Sequence, residues 1–107
     1  MKMIIAIVQD KDSAELSDAL MDANVRTTKL SSTGGFLRAG NTTFLIGADD
    51  DKIDDILDII KKTSHTRQEF MTPPVSMTAD ATIQTPVEVQ VGGATVFVLP
   101  VDQFQRF

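Results

Sequence analysis

The chain contains no cysteine, tryptophan or tyrosine, and its only histidine is His65. Without cysteine, disulfides, thiolate nucleophiles and thiolate metal sites are excluded. Basic residues are scarce as well. Ten Lys and Arg face fifteen Asp and Glu, for a net charge of −5. That balance argues against binding a nucleic-acid polymer, which rewards clustered cations through counterion release. A small anionic ligand stays possible, because a local field can differ in sign from the net charge. Long hydrophobic runs are missing too: no window holds ~18 uncharged apolar residues, so no membrane insertion is expected. The start, "MKMIIAIVQDKD", has a short apolar run and no small-residue cleavage site. A secretory signal is therefore not expected, and the location read from the sequence is cytoplasmic.

What is present fits one α+β domain over residues 1–107, with 42% hydrophobic and 23% charged residues. "MIIAIV" (3–8) is apolar on both alternations, the pattern of a strand buried on two faces. "DKDSAELSDALMDAN" predicts a helix with Asp12 as N-cap, Glu15 three residues on, and Asn24 at the C-terminal cap. Strands follow at "VRTTKL" and "NTTFLIG". In "ADDDKIDDILDIIKK", Ile53, Ile56, Leu57 and Ile60 repeat with helical spacing. Aspartates crowd its first turn, and Lys61 and Lys62 its last. Residues 63–85 lack periodicity and read as one long, mobile loop. "PVEVQV", Gly92–Gly93 and "ATVFVLPV" then read as a terminal hairpin.

The order βαββαβ plus that extra C-terminal hairpin strand predicts a ferredoxin-like sandwich, with both helices on one face of an antiparallel sheet. Such helices leave the second face bare. Three or four Val- or Ile-sized side chains left there in water would each forgo about 1.5–3 kcal/mol. An obligate oligomer of closed cyclic symmetry removes the conflict.

For catalysis the residue set offers little. His65 lies in "KTSHTRQ" beside no acid, so a surface histidine is the better reading. The run Asp49, Asp50, Asp51, Asp54, Asp55 and Asp58 lacks the glycine and spacing of a calcium loop and reads as a solvated helix start. No metal, cofactor or catalytic residue is expected. "GFLRAGNT" (35–42) matches a phosphate-loop pattern except that Asn41 replaces the lysine, and it opens a strand rather than a helix. Its parts still suit a nucleotide: glycines expose N–H groups, Phe36 offers a stacking face, and Asn41 can read an adenine edge. Arg26 or Arg38 can meet phosphate. Strand parity puts Asn41, Thr43, Leu45 and Gly47 on one face, so that an adenine at Asn41 finds room at Gly47. Arg26 and Thr28 share a face of the neighbouring strand. A plain hairpin loop with glycines at positive φ fits the same residues. Phe97 is either core filling or a wall at a subunit boundary. Phe70, Met71 and Met77 pack the long loop down or close over a ligand or partner.

"MKMIIAIVQDKDS", "RTTKLSSTGGFLRAGNTTFLIG" and "PVEVQVGGATVFVLPVDQF" closely resemble the PII-like cyclic di-AMP receptors of the PstA or DarA type, over essentially the whole chain. The resemblance implies a ferredoxin-like homotrimer that is not an enzyme. It implies cyclic di-AMP in each cleft between neighbouring subunits, ligand ordering the loops and so altering an unidentified downstream protein partner. Its contacts map to Arg26, Thr28, Gly35, Phe36, Leu37, Asn41 and Gly47, with Phe97 supplied by the adjacent subunit. The family contact near the C-terminus falls on "DQFQRF", where the role of Arg106 stays open. The alternatives are a nitrogen-regulatory PII-type sensor of ATP or ADP, a small acyl phosphatase-like enzyme, and a purely structural trimer. The absence of tyrosine speaks against uridylylation control, and "VQDKDSAEL" supplies no catalytic arginine–asparagine pair.

Overall fold

A computed structural model describes residues 1–31, 40–71 and 87–107. Its elements run β1 (Lys2–Gln9), α1 (Asp10–Asp22), β2 (Thr27–Ser31), β3 (Asn41–Ala48), a 3₁₀ turn (Asp50–Lys52), α2 (Ile53–Ser64), β4 (Arg67–Met71), β5 (Val87–Val91) and β6 (Ala94–Pro100). Strands β2-β3-β1-β6 form one antiparallel sheet, and β4-β5 form a separate two-stranded one. The first sheet with its two helices is compatible with the ferredoxin-like sandwich expected from the sequence.

Strand alternation decides what is buried. From β1, Ile4, Ala6 and Val8 face the helices, as do Phe44 and Ile46 from β3. Leu16 and Leu20 of α1 and Ile53, Ile56 and Ile60 of α2 close over them. Ala6 pairs in register with both Phe44 and Val96, and its small side chain leaves room for the ring. Helix α2 has the expected acidic first turn and basic last turn, with an Asp58–Lys62 pair at 2.9 Å. Asn24, at φ +59, follows the end of α1 and donates its N–H to Met21 O, as a C-terminal cap does.

Three expectations change. First, "PVEVQV" and "ATVFVLPV" do not form a hairpin: β5 pairs with β4, while β6 enters the main sheet beside β1 and supplies its fourth strand. The Gly92–Gly93 turn fails to close because its donors are used elsewhere. Gly92 N–H bonds to Gln9 Oε1 at 2.7 Å and Gly93 N–H to Ser64 O at 2.6 Å. Second, the stretch 63–85 is not wholly loop, since residues 63–64 end α2 and 67–71 are β4. "RQEFM" alternates poorly, and its strand character comes from a partner far along the chain. Met77 lies outside the described residues, and Phe70 on β4 is exposed. Third, α1 begins at Asp10 without a side-chain cap, and Asp12 is not the N-cap. Asp12 is instead 1% exposed and takes Arg67 Nη2 on Oδ1 at 2.7 Å and Nη1 on Oδ2 at 3.4 Å. A bidentate charged pair outweighs a local cap.

That pair ties the β4-β5 arm to the sandwich. The hydrogen bond to Asp12 raises the Arg67 pKa above its ordinary value. On the same strand Glu69 accepts from Lys11 at 2.9 Å, and this bond lowers its pKa from the ordinary 4.5. The Glu69 contribution is therefore complete above that value and fades as pH falls through the depressed one.

Two stability outcomes follow from this packing. Phe44→Ala, at a fully buried position, should lose about 3–5 kcal/mol in denaturant unfolding. Gly40 and Gly92 both have positive φ, but a Cβ at Gly40 meets nothing within 4 Å, whereas at Gly92 it runs into the His65 carbonyl. Gly92→Ala should thus destabilise more than Gly40→Ala in the same measurement, and equal losses would contradict this account of the turn.

Candidate functional site

The sheet face turned away from the helices carries the residues singled out in the sequence. Thr28 pairs with Leu45, and Met3 pairs with Gly47. Continuing the β2 register brings Arg26 beside Gly47. These residues line a cavity of about 720 Å³. Arg26, Thr28, Leu45 and Gly47 form one wall, and Phe104 and Arg106 of the C-terminal segment form another. Val101 N–H to Met1 O, at 3.3 Å, holds that segment against the N-terminus. Gly47 is exposed, and a Cβ there would approach Met1 Cε to 3.2 Å, so the glycine keeps the floor open. Two guanidiniums and no acid line this cavity among the described residues. Neither arginine makes an ion pair with a described residue.

Asn41 stands elsewhere. It is six residues from Gly47 along β3, or about 20 Å at the rise of an antiparallel strand. A single adenine cannot touch both, so the two fall into separate positions on one face. Asn41 lines a second cavity of about 530 Å³ with Gln9, Asp10, Lys11, Gly40 and Gly92–Gly93. There the Asp10 N–H donates to Gly40 O at 2.8 Å, and the Thr42 hydroxyl donates to the Asp10 carboxylate.

Between the cavities runs an apolar strip. Ile5 pairs with Leu45 on one side and with Phe97 on the other. Phe97 is 51% exposed and lines neither of these cavities in its own chain. Thr43 Oγ1, on the same face, is buried with no hydrogen-bond partner among the described residues. Gly35, Phe36 and Leu37 lie outside the described residues. Phe104 was missed by sequence reasoning, and Arg106 was left open. An aromatic and an arginine two positions apart, just after the last strand, was the available signal.

In chemical terms the first cavity suits a ligand with negative charge and a flat ring. Guanidinium meets phosphate, Phe104 offers a face for stacking, and glycine leaves clearance. His65 is exposed at the end of α2, with its ring Nδ1 3.1 Å from Lys61 O, and takes no part in either cavity.

Comparison with solved structures gives a close relative. The chain is similar to the crystal structure of a functionally unknown protein from Pediococcus pentosaceus ATCC 25745, at 60% identity and a TM-score of 0.81. That match covers 99% of this chain and 96% of the other. A family model described as cyclic-di-AMP receptor matches residues 1–107. The chain therefore belongs to the cyclic di-AMP receptor family.

Proposed function

We propose that the protein is a non-enzymatic, cytoplasmic signalling receptor that binds cyclic di-AMP at clefts between the subunits of a homotrimer. The observation that carries this reading is the cavity in which Arg26, Thr28 and Gly47 meet Phe104 and Arg106. Its charge matches a phosphate, and its ring matches a purine. A dinucleotide also gives Asn41, about 20 Å away on the same face, a role as a base contact of a different subunit's cleft or of the far base.

The oligomer is supported by what the helices leave uncovered. Leu30, Phe97 and Leu99 are 46%, 51% and 44% exposed, and all lie on the side away from the helices. Covering such side chains is favourable by about 25 cal/mol for each Å² removed from water. Phe97, which faces neither cavity of its own chain, becomes the residue a neighbour contributes to the ligand wall. Gly35, Phe36 and Leu37 complete the contact set on this reading. Ligand then changes what the loops and the β4-β5 arm present to a downstream protein.

Calorimetry with cyclic di-AMP, cyclic di-GMP, ATP and ADP tests the reading, with the oligomeric state taken from sedimentation. Saturable binding of cyclic di-AMP alone, one per subunit of a trimer, is the expected result; tight ATP binding without a cyclic dinucleotide response overturns it. Asn41→Ala should weaken cyclic di-AMP by about 5- to 150-fold, the loss of a bidentate base contact, with the trimer intact. Unchanged affinity in that variant would remove Asn41 from the site.

A further inference from the structure

The chain has five methionines and no cysteine, so thioethers are its only sulfur. Two of them stand in the cavity that holds Arg26. Met3 pairs in register with Gly47 on one side and Leu99 on the other, and its side chain falls on the open face of the sheet. Met1 precedes β1, and its Cε lies 3.2 Å from where a Cβ on Gly47 would stand. Both line the cavity of about 720 Å³, with Met1 44% exposed and Met3 half-buried. Met21 offers a contrast: it is 69% exposed on α1 and lines neither that cavity nor the one beside Asn41.

The two methionines, with Leu45, Val101 and Phe104, are the apolar part of a cavity whose charged groups are two guanidiniums. With cyclic di-AMP as the occupant, phosphate takes guanidinium and this apolar part is left for an adenine ring. A thioether suits that contact, because it is polarisable and packs well against an aromatic ring. It also carries a chemistry that leucine lacks. Hydrogen peroxide transfers one oxygen to the sulfur: the O–O bond breaks, sulfur is oxidised by two electrons, and the peroxide leaves as water with both its protons. The product is a polar, chiral sulfoxide in place of a flexible apolar group. Pressing a purine onto that oxygen takes an acceptor out of water against Leu45, Val101 and Phe104, whose side chains have no donor. That is the costly way to bury a polar group.

We propose that Met3, with Met1 beside it, contacts the adenine ring in this cavity, and that its oxidation by a hydroperoxide closes the cavity to cyclic di-AMP. The backbone of Met3 is bonded to strands on both sides, so the change stays at the cavity and spares the sheet. Enzymatic reduction of the sulfoxide restores the thioether. A ligand that covers the sulfur must in turn slow its oxidation.

The binding half of the test rests on cyclic di-AMP being the occupant, and the ligand-free half does not. Without ligand, mild hydrogen peroxide should convert Met3 to its sulfoxide in the folded protein, more slowly than the more exposed Met21, as read by peptide mass spectrometry. A Met3 that stays unoxidised while Met21 reacts overturns the switch. With saturating cyclic di-AMP, oxidation of Met1 and Met3 should slow while that of Met21 is unchanged; equal rates at Met3 with and without ligand overturn the ring contact. In calorimetry the oxidised protein should bind cyclic di-AMP at least about 5-fold more weakly, the low end for an acceptor buried without a donor, with its sedimentation unchanged. Met3→Leu keeps the size and apolarity of the wall, so it should bind like the parent and, after the same treatment, more tightly than the treated parent. Undiminished binding by the treated parent, or an equal loss in treated Met3→Leu, overturns the assignment. If the untreated parent bound no cyclic di-AMP, the proposed function would fall, while the ligand-free oxidation of Met3 still decided whether its sulfur is open to the cavity.

Discussion

Two helices can cover only one side of a four-stranded sheet, and most of what is distinctive in this protein follows from that limit. β1 is one of the two inner strands, and it is apolar on both alternations. Ile4, Ala6 and Val8 are closed over by α1 and α2, while Met3, Ile5 and Ile7 on the other side are only half-buried. The same open side collects Leu45, Phe97 and Leu99, along with Arg26, Thr28, Asn41 and Gly47. Apolar area and ligand-type residues therefore share one surface. A surface of that kind gains from being covered, and a cleft formed by covering it places those polar residues where water is largely removed.

Much of this was legible in the sequence because it depends on period alone. The double-sided apolar run of β1, the helical repeat of α2 and the alternation of β3 each fix a face without knowledge of the partner. The face shared by Arg26, Thr28 and Gly47 follows from the same parity. What escaped sequence reading depends on distance. Asp12 satisfies the local rule for a cap, yet its carboxylate is taken by an arginine fifty-five residues away. Gly92–Gly93 satisfies the rule for a tight hairpin, yet its N–H groups go to Gln9 and Ser64. Both errors have one cause: a short motif states what a backbone can do locally, and a competing long-range donor or acceptor decides what it does.

The separation of Asn41 from Gly47 shows a different limit. Parity put them correctly on one face, but parity carries no length. Six steps of an extended strand exceed a purine, and they turn one imagined contact into two positions. The gap is bridged by Ile5, Ile7 and Leu45, and its polar group on β3 is the buried hydroxyl of Thr43. A ligand that used both ends would have to be long, or the two ends would have to serve different subunits.

The Asp12–Arg67 pair has a meaning that its energy alone does not give. Burying the Asp12 carboxylate takes it from water while Arg67 stays partly exposed, so such a pair adds less stability than well-packed apolar side chains would. What it supplies is position. Its geometry is bidentate, Arg67 also donates to His65 O at 3.1 Å, and the next polar residue on that side of the strand, Glu69, reaches Lys11. The base of the arm is thus set by directional contacts, where an apolar base would tolerate sliding. Hydrophobic packing holds the sandwich and hydrogen bonds hold the arm, so the two parts respond to different perturbations.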